Sequence, residues 1–191
     1  MKNVIIFFIP LIGVFSKENF LENFLSYMNQ DGIVKLEIEF TQKQYNEEFK
    51  SKGYFYYLDQ NYYIFDNESQ RIVYNNNEIS TINKVEKQIV YEDNIQNDFT
   101  IFDLITGQND SLFFYDFVIL NNKVEMFFKI RTWSISGSII TNYLSGEPEL
   151  LKLIIDKNLN STIKVLNVST QNKFDLDYIE SALFSIIDLR E

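Results

Sequence analysis

The sequence contains no cysteine and no histidine, and of its 191 residues only 2 are proline and 6 are glycine. Without cysteine there are no disulfides, so stability rests on packing, and no N-terminal cysteine is available for acylation. Without histidine the chain lacks the side chain whose unperturbed pKa suits proton transfer near neutrality. Ser-His-Asp and Cys-His arrangements, His- or Cys-built zinc sites and attached haem are thereby excluded. No Gly-rich phosphate loop is present, and no cofactor or metal is implied. The scarcity of proline and glycine leaves no linker, and no repeat of fixed period occurs, so the chain reads as one domain. Positive charge is also short: 17 Lys and Arg stand against 27 Asp and Glu, a net charge of -10. That balance opposes nucleic acid and anionic membrane surfaces, which reward clustered cations.

Carboxylates are the acid–base groups that remain. Asp175 with Asp177, and Glu47 with Glu48, are the nominal pairs, but their spacing equally describes a solvated acidic face. The Asn-rich turns lack the alternating oxygen ligands and closing Glu of a calcium loop. The expectation is a binding protein rather than an enzyme.

The N-terminus has the layout of an export signal. Lys2 precedes an apolar stretch from Val4 to Phe15, interrupted by Pro10 and Gly13 and followed by Lys17 and Glu18. A spanning helix needs about 20 apolar residues, and this run is about 12. Val14 and Ser16 fit a signal-peptidase cut after Ser16. Residues 1–16 are thus expected to be a cleaved signal peptide, and 17–191 an exported, soluble domain. The alternative is a buried element at the start of the domain.

Beyond Lys17, Phe20, Leu21, Phe24, Leu25 and Met28 recur at helical spacing, and Asp31-Gly32 ends the run. The period then becomes two: Val34, Leu36, Ile38 and Phe40 alternate with polar residues. Strands follow at 53–58, 62–65, 70–74, 78–82 and 88–91, with an Asn75-Asn76-Asn77 turn of the kind that favours hairpins. Thr100 and Gly107 bracket a short helix. Further strands at 117–120, 124–130, 133–140, 150–155, 163–168 and 183–187 bring the total to about ten or eleven, with two or three helices. Aromatic residues make up 16% of the chain and crowd the early strands. Most suit a core, and a sheet of this size also suits an apolar cavity.

Phe40-Thr41-Gln42-Lys43, following an amphipathic helix, resembles the LolA family of periplasmic outer-membrane lipoprotein carriers. The resemblance continues in order through Gly53-Tyr54-Phe55-Tyr56-Tyr57, Tyr63 and Phe65, the segment Arg71 to Ile79, the segment Ile82 to Ile89, and the Thr100 to Gly107 helix. It implies an incomplete, half-open antiparallel β-barrel, α+β but mostly β, whose apolar concave face is closed by a helical lid with acyl chains between. It also implies an acylated lipoprotein as cargo, an inner-membrane donor complex, an outer-membrane acceptor and a monomeric carrier.

On that basis Leu36, Ile38, Phe40, Phe55, Tyr57, Tyr63 and Phe65 are expected on the concave wall, and Phe24, Met28, Phe102 and Ile105 on the lid. Ordinary core packing predicts burial of the same residues. Asp59-Gln60 stands where the family has Arg-Pro, and an acid cannot supply the donor contacts of the arginine that latches the lid. Two other roles fit the pattern: an envelope sensor of lipid or lipoprotein, and a structural β-rich envelope protein with a filled core.

Overall fold

The computed structural model describes residues 17–76, 78–93, 101–107, 111–130 and 135–190. The expected signal peptide with its cut near Ser16, the Thr100 cap and Trp133 lie outside the described residues. Among the described residues no helix is long and apolar enough to cross a membrane.

Helix α1 (Lys17–Met28) is followed by six strands: β1 (Ile33–Gln44), β2 (Glu47–Asp59), β3 (Tyr62–Asp66), β4 (Gln70–Asn75), β5 (Glu78–Asn83) and β6 (Gln88–Asp93). After helix α2 (Ile101–Thr106) come β7 (Leu112–Leu120), β8 (Lys123–Ile130), β9 (Ile135–Asn142), β10 (Pro148–Ile154), β11 (Leu159–Gln171) and β12 (Ser185–Asp188). The 12 strands form one sheet in the order β12-β6-β5-β4-β3-β2-β1-β11-β10-β9-β8-β7. Neighbours are antiparallel except β12, which lies parallel to β6. The two ends of the order do not pair, so the barrel is half-open.

Asparagine makes several of the tight connections. Asn76 and Asn121 sit at φ of 48° and 57° in the turns of the β4–β5 and β7–β8 hairpins. Positive φ costs Asn less than most residues because its short amide bonds locally.

Alternation sorts the side chains of the strands to two faces. On the concave face, Leu36 and Ile38 of β1, Phe55 and Tyr57 of β2, and Tyr63 and Phe65 of β3 are buried in one core with Phe128, Ile139, Leu151 and Ile163. The helices enter this face: Phe20, Phe24 and Met28 of α1, and Phe102, Leu104 and Ile105 of α2, complete the same cluster. Gly107, at φ 65°, ends α2 as expected and lies so near α1 that a Cβ would come 2.6 Å from the Phe24 ring.

The convex face carries a smaller core of Ile33, Tyr56 and Ile64. The chain after β11 crosses this face as a strap, setting Phe174 and Leu176 on that core. Tyr56 Oη donates to the Asp175 carbonyl at 2.7 Å. Arg71 anchors the strap further along, with Nε donating to Asp66 Oδ1 at 2.7 Å and Nη1 to the Asp177 carbonyl at 3.1 Å.

Candidate functional site

The open part of the concave face lies where the β1–β2 hairpin outruns the helical layer. Residues 41–52 are largely polar, yet β1 and β2 pair all the way to Gln44 and Glu47, extending the sheet beyond α2. In this overhang a cleft of about 350 Å³ opens between β1–β4, β11 and α2. Phe65 and Ile72 line it on one side, Ile38, Phe40 and Phe49 next to them and Ile163 beyond β1, with Phe102 contributed by α2. Phe49 is 61% exposed, an apolar ring held at the mouth by the hairpin. The volume lies at the lower end of the range of roughly 300–1,000 Å³ common for small-molecule sites.

Among the described residues the rim is polar but uncharged: Ser51, Asn67, Ser69 and Gln70 join the lining. Asn67 organises it. Its Oδ1 accepts from the Ser69 and Gln70 backbone N–H groups at 2.9 and 2.7 Å and from Ser69 Oγ at 3.0 Å, while its Nδ2 donates to Ser51 Oγ at 3.1 Å.

Of the eleven residues expected at the site, Ile38, Phe40, Phe65 and Phe102 line this cleft. The other seven, Leu36, Phe55, Tyr57, Tyr63, Phe24, Met28 and Ile105, share the concave face but are packed between sheet and helices. Phe102 is the hinge between the two groups: it stacks on Phe55 with centroids 5.4 Å apart and meets Tyr63 and Phe65 at 5.6 and 5.5 Å. Phe49, Ile72, Ile163 and the four polar rim residues were not among the expected eleven. Phe49 and Ser51 fall in phase with Phe55 on β2, which is the signal that points to them.

A second cleft, of about 310 Å³, lies at the other flank of α1, where Leu21 faces Leu112, Phe114 and Phe117 of β7 and Met126 of β8. Asp116 also reaches it, so its lining is not free of charge.

Asp59 makes no latch of the arginine type: it is exposed, and its Oδ1 accepts from the Asn61 backbone N–H at 2.7 Å within the β2–β3 turn. Helix and sheet are joined instead by Tyr57, whose hydroxyl donates to Asn29 Oδ1 at 3.1 Å just beyond α1. At the opposite side of α1, Tyr27 meets Glu147 of the β9–β10 turn. Burial first, and then the Glu147 carboxylate, push the Tyr27 phenol up to about 12. The carboxylates considered for catalysis lie elsewhere: Asp175 pairs with Lys35 at 3.4 Å on the convex face, and Glu48 with Lys50 at 2.8 Å on the hairpin.

The sequence matches no protein-family model and no curated protein. Solved structures are similar in fold. An uncharacterized conserved protein from Thermus thermophilus superposes with a TM-score of 0.60 at 10% identity, covering 91% of this chain and 99% of that one. For a DUF1329 family protein from Desulfovibrio piger the TM-score is 0.52 at 8% identity, with 87% and 98% covered. A LolA superfamily protein from Nitrosomonas europaea aligns with a TM-score of 0.48 at 7% identity, with 85% and 96% covered. Such identities speak to fold alone. The half-open antiparallel sheet with helices on its concave face is the architecture expected from the sequence.

Proposed function

We propose that this LolA-like chain is a periplasmic carrier that holds acyl chains of lipoproteins and conveys them from the inner to the outer membrane. The observation that carries the reading is the cleft beside α2, an apolar groove open to solvent on the face where such a fold would receive a chain. Each buried CH₂ contributes about 0.8 kcal/mol, so a multiply acylated protein leaves a membrane only if a comparable apolar site receives it. Ile38, Phe40, Phe65 and Phe102 offer that surface as they stand. The seven deeper residues would join it when α1 and α2 lift from the sheet, with Tyr57–Asn29 as the bond to be broken. Transfer of this kind involves no covalent step and no cofactor. Donor and acceptor complexes at the two membranes are the partners it requires.

The test is to purify the protein from periplasm and identify what accompanies it by mass spectrometry. Acylated lipoproteins are expected with the natural sequence and should fall at least several-fold in Phe49→Glu, which places a charge at the mouth where the ring is exposed and folding does not depend on it. Phe65→Glu is less informative, because Phe65 is only 7% exposed and belongs to the core. Recovery of free lipid without acylated protein would reject the lipoprotein carrier.

A further inference from the structure

We infer that the cleft beside α2 selects an acyl chain whose head is uncharged and hydrogen-bonding, such as a glyceride hydroxyl or ester, over chains with anionic or cationic heads. The inference rests on the proposed acyl-binding role of that cleft and concerns what binds at its rim.

Three features of the rim support it. Among the described residues no ionisable side chain lines the cleft. Desolvating a charged head there without a partner would cost far more than desolvating a hydroxyl or ester. Polar capacity is nevertheless built in. Ser51 Oγ accepts from Asn67 and keeps its proton for donation, while Ser69 Oγ donates to Asn67 and keeps its lone pairs. The Gln70 side-chain amide lines the cleft and makes no hydrogen bond to the described residues, leaving donor and acceptor side by side.

The nearby cations are turned away from the cleft and engaged. Strand alternation puts Lys43, Lys50 and Lys52 on the convex face, where Lys43 and Lys50 pair with Glu48 at 3.3 and 2.8 Å and Lys52 with Glu39 at 3.5 Å. Lys84 is held by Asp66 at 2.9 Å. Among the described residues an anionic head would therefore meet no free cation at the rim, and it would enter the field of a chain with net charge -10. A cationic head would be drawn by that field but would find no carboxylate among the described lining residues to replace its water.

The experiment compares three ligands with the same chain, monopalmitoylglycerol, palmitate and palmitoylcholine, by displacement of a bound fluorescent alkyl probe from the purified protein at neutral pH. Monopalmitoylglycerol is expected to displace the probe at about tenfold lower concentration than either charged ligand. In Gln70→Lys the preference for monopalmitoylglycerol over palmitate should disappear, with palmitate gaining about tenfold relative to it. Equal displacement by all three ligands would overturn the selection and leave acyl binding standing. Failure of the alkyl probe to bind at all would overturn the acyl-binding role, and this inference with it. The ranking in the unmodified protein decides the matter if Gln70→Lys does not fold.

Discussion

Gly146 sets how closely the β9–β10 turn approaches α1. Its φ of 75° lies in the left-handed region, and an added Cβ would collide with the Asn23 carbonyl of the helix backbone. Helix backbone cannot yield as a flexible side chain can, so Gly146→Ala should lower the unfolding free energy in urea by about 2 kcal/mol or more. Beside it, Tyr27 gives the same contact a pH dependence. The phenol is raised from 10.0 to about 12 in the fold, so the neutral form is favoured by folding. Its contribution is complete below the unfolded value near 10 and is lost as pH rises through the folded value near 12. The urea midpoint, followed across that window, should fall more steeply for the natural protein than for Tyr27→Phe. At this scale the sequence was readable where chemistry is local, as at Asn76 and Gly107. It was mute at Gly146, because the helix that forbids a side chain there lies far away in the chain.

The strap after β11 closes the convex core by side-chain packing more than by backbone pairing. Phe174 meets Tyr62 at 5.4 Å and Tyr56 at 6.1 Å between ring centroids, while β12, at the far end of the strap, has every residue exposed. Phe174→Ala should therefore cost on the order of 2 kcal/mol, below the roughly 3–5 of a fully buried Phe. It should also speed proteolysis of residues 172–190 while leaving alkyl-probe binding on the concave face unchanged. Alternation located Leu36, Ile38 and Phe40 correctly, since their burial on one face is what alternation records. It stopped β1 at Thr41 and began β2 at Gly53, because residues 42–52 extend past the helices and both of their faces meet water or the cleft. Strand β7 was likewise read only from Phe117: the bulge between Phe114 and Asp116 shifts the phase of its first half.

Across the whole molecule, the open sheet leaves β7 as an edge of nine residues whose one charge is Asp116. Phe113, Tyr115, Val118, Ile119 and Leu120 are exposed along it, and an apolar edge of that length invites pairing between copies on heating. Val118→Lys should reduce light scattering during thermal unfolding without lowering the unfolding midpoint by more than a degree or two, since the side chain is exposed. Strand content and the helical layer were legible in the sequence, and the 12 strands exceed the expected ten or eleven by little. The order of the strands was not legible, because pairing of β1 with β11 and of β12 with β6 joins segments that carry no mutual signal. The β1–β11 pairing has a consequence in time. Phe40 finds Ile163 only after β11 has been made, so the centre of the sheet closes long after β1 to β6 have been synthesised. Long-range pairing of this kind folds slowly, on the order of milliseconds to seconds. A nascent chain held back from its own middle in this way stays threadable until its C-terminal strands arrive.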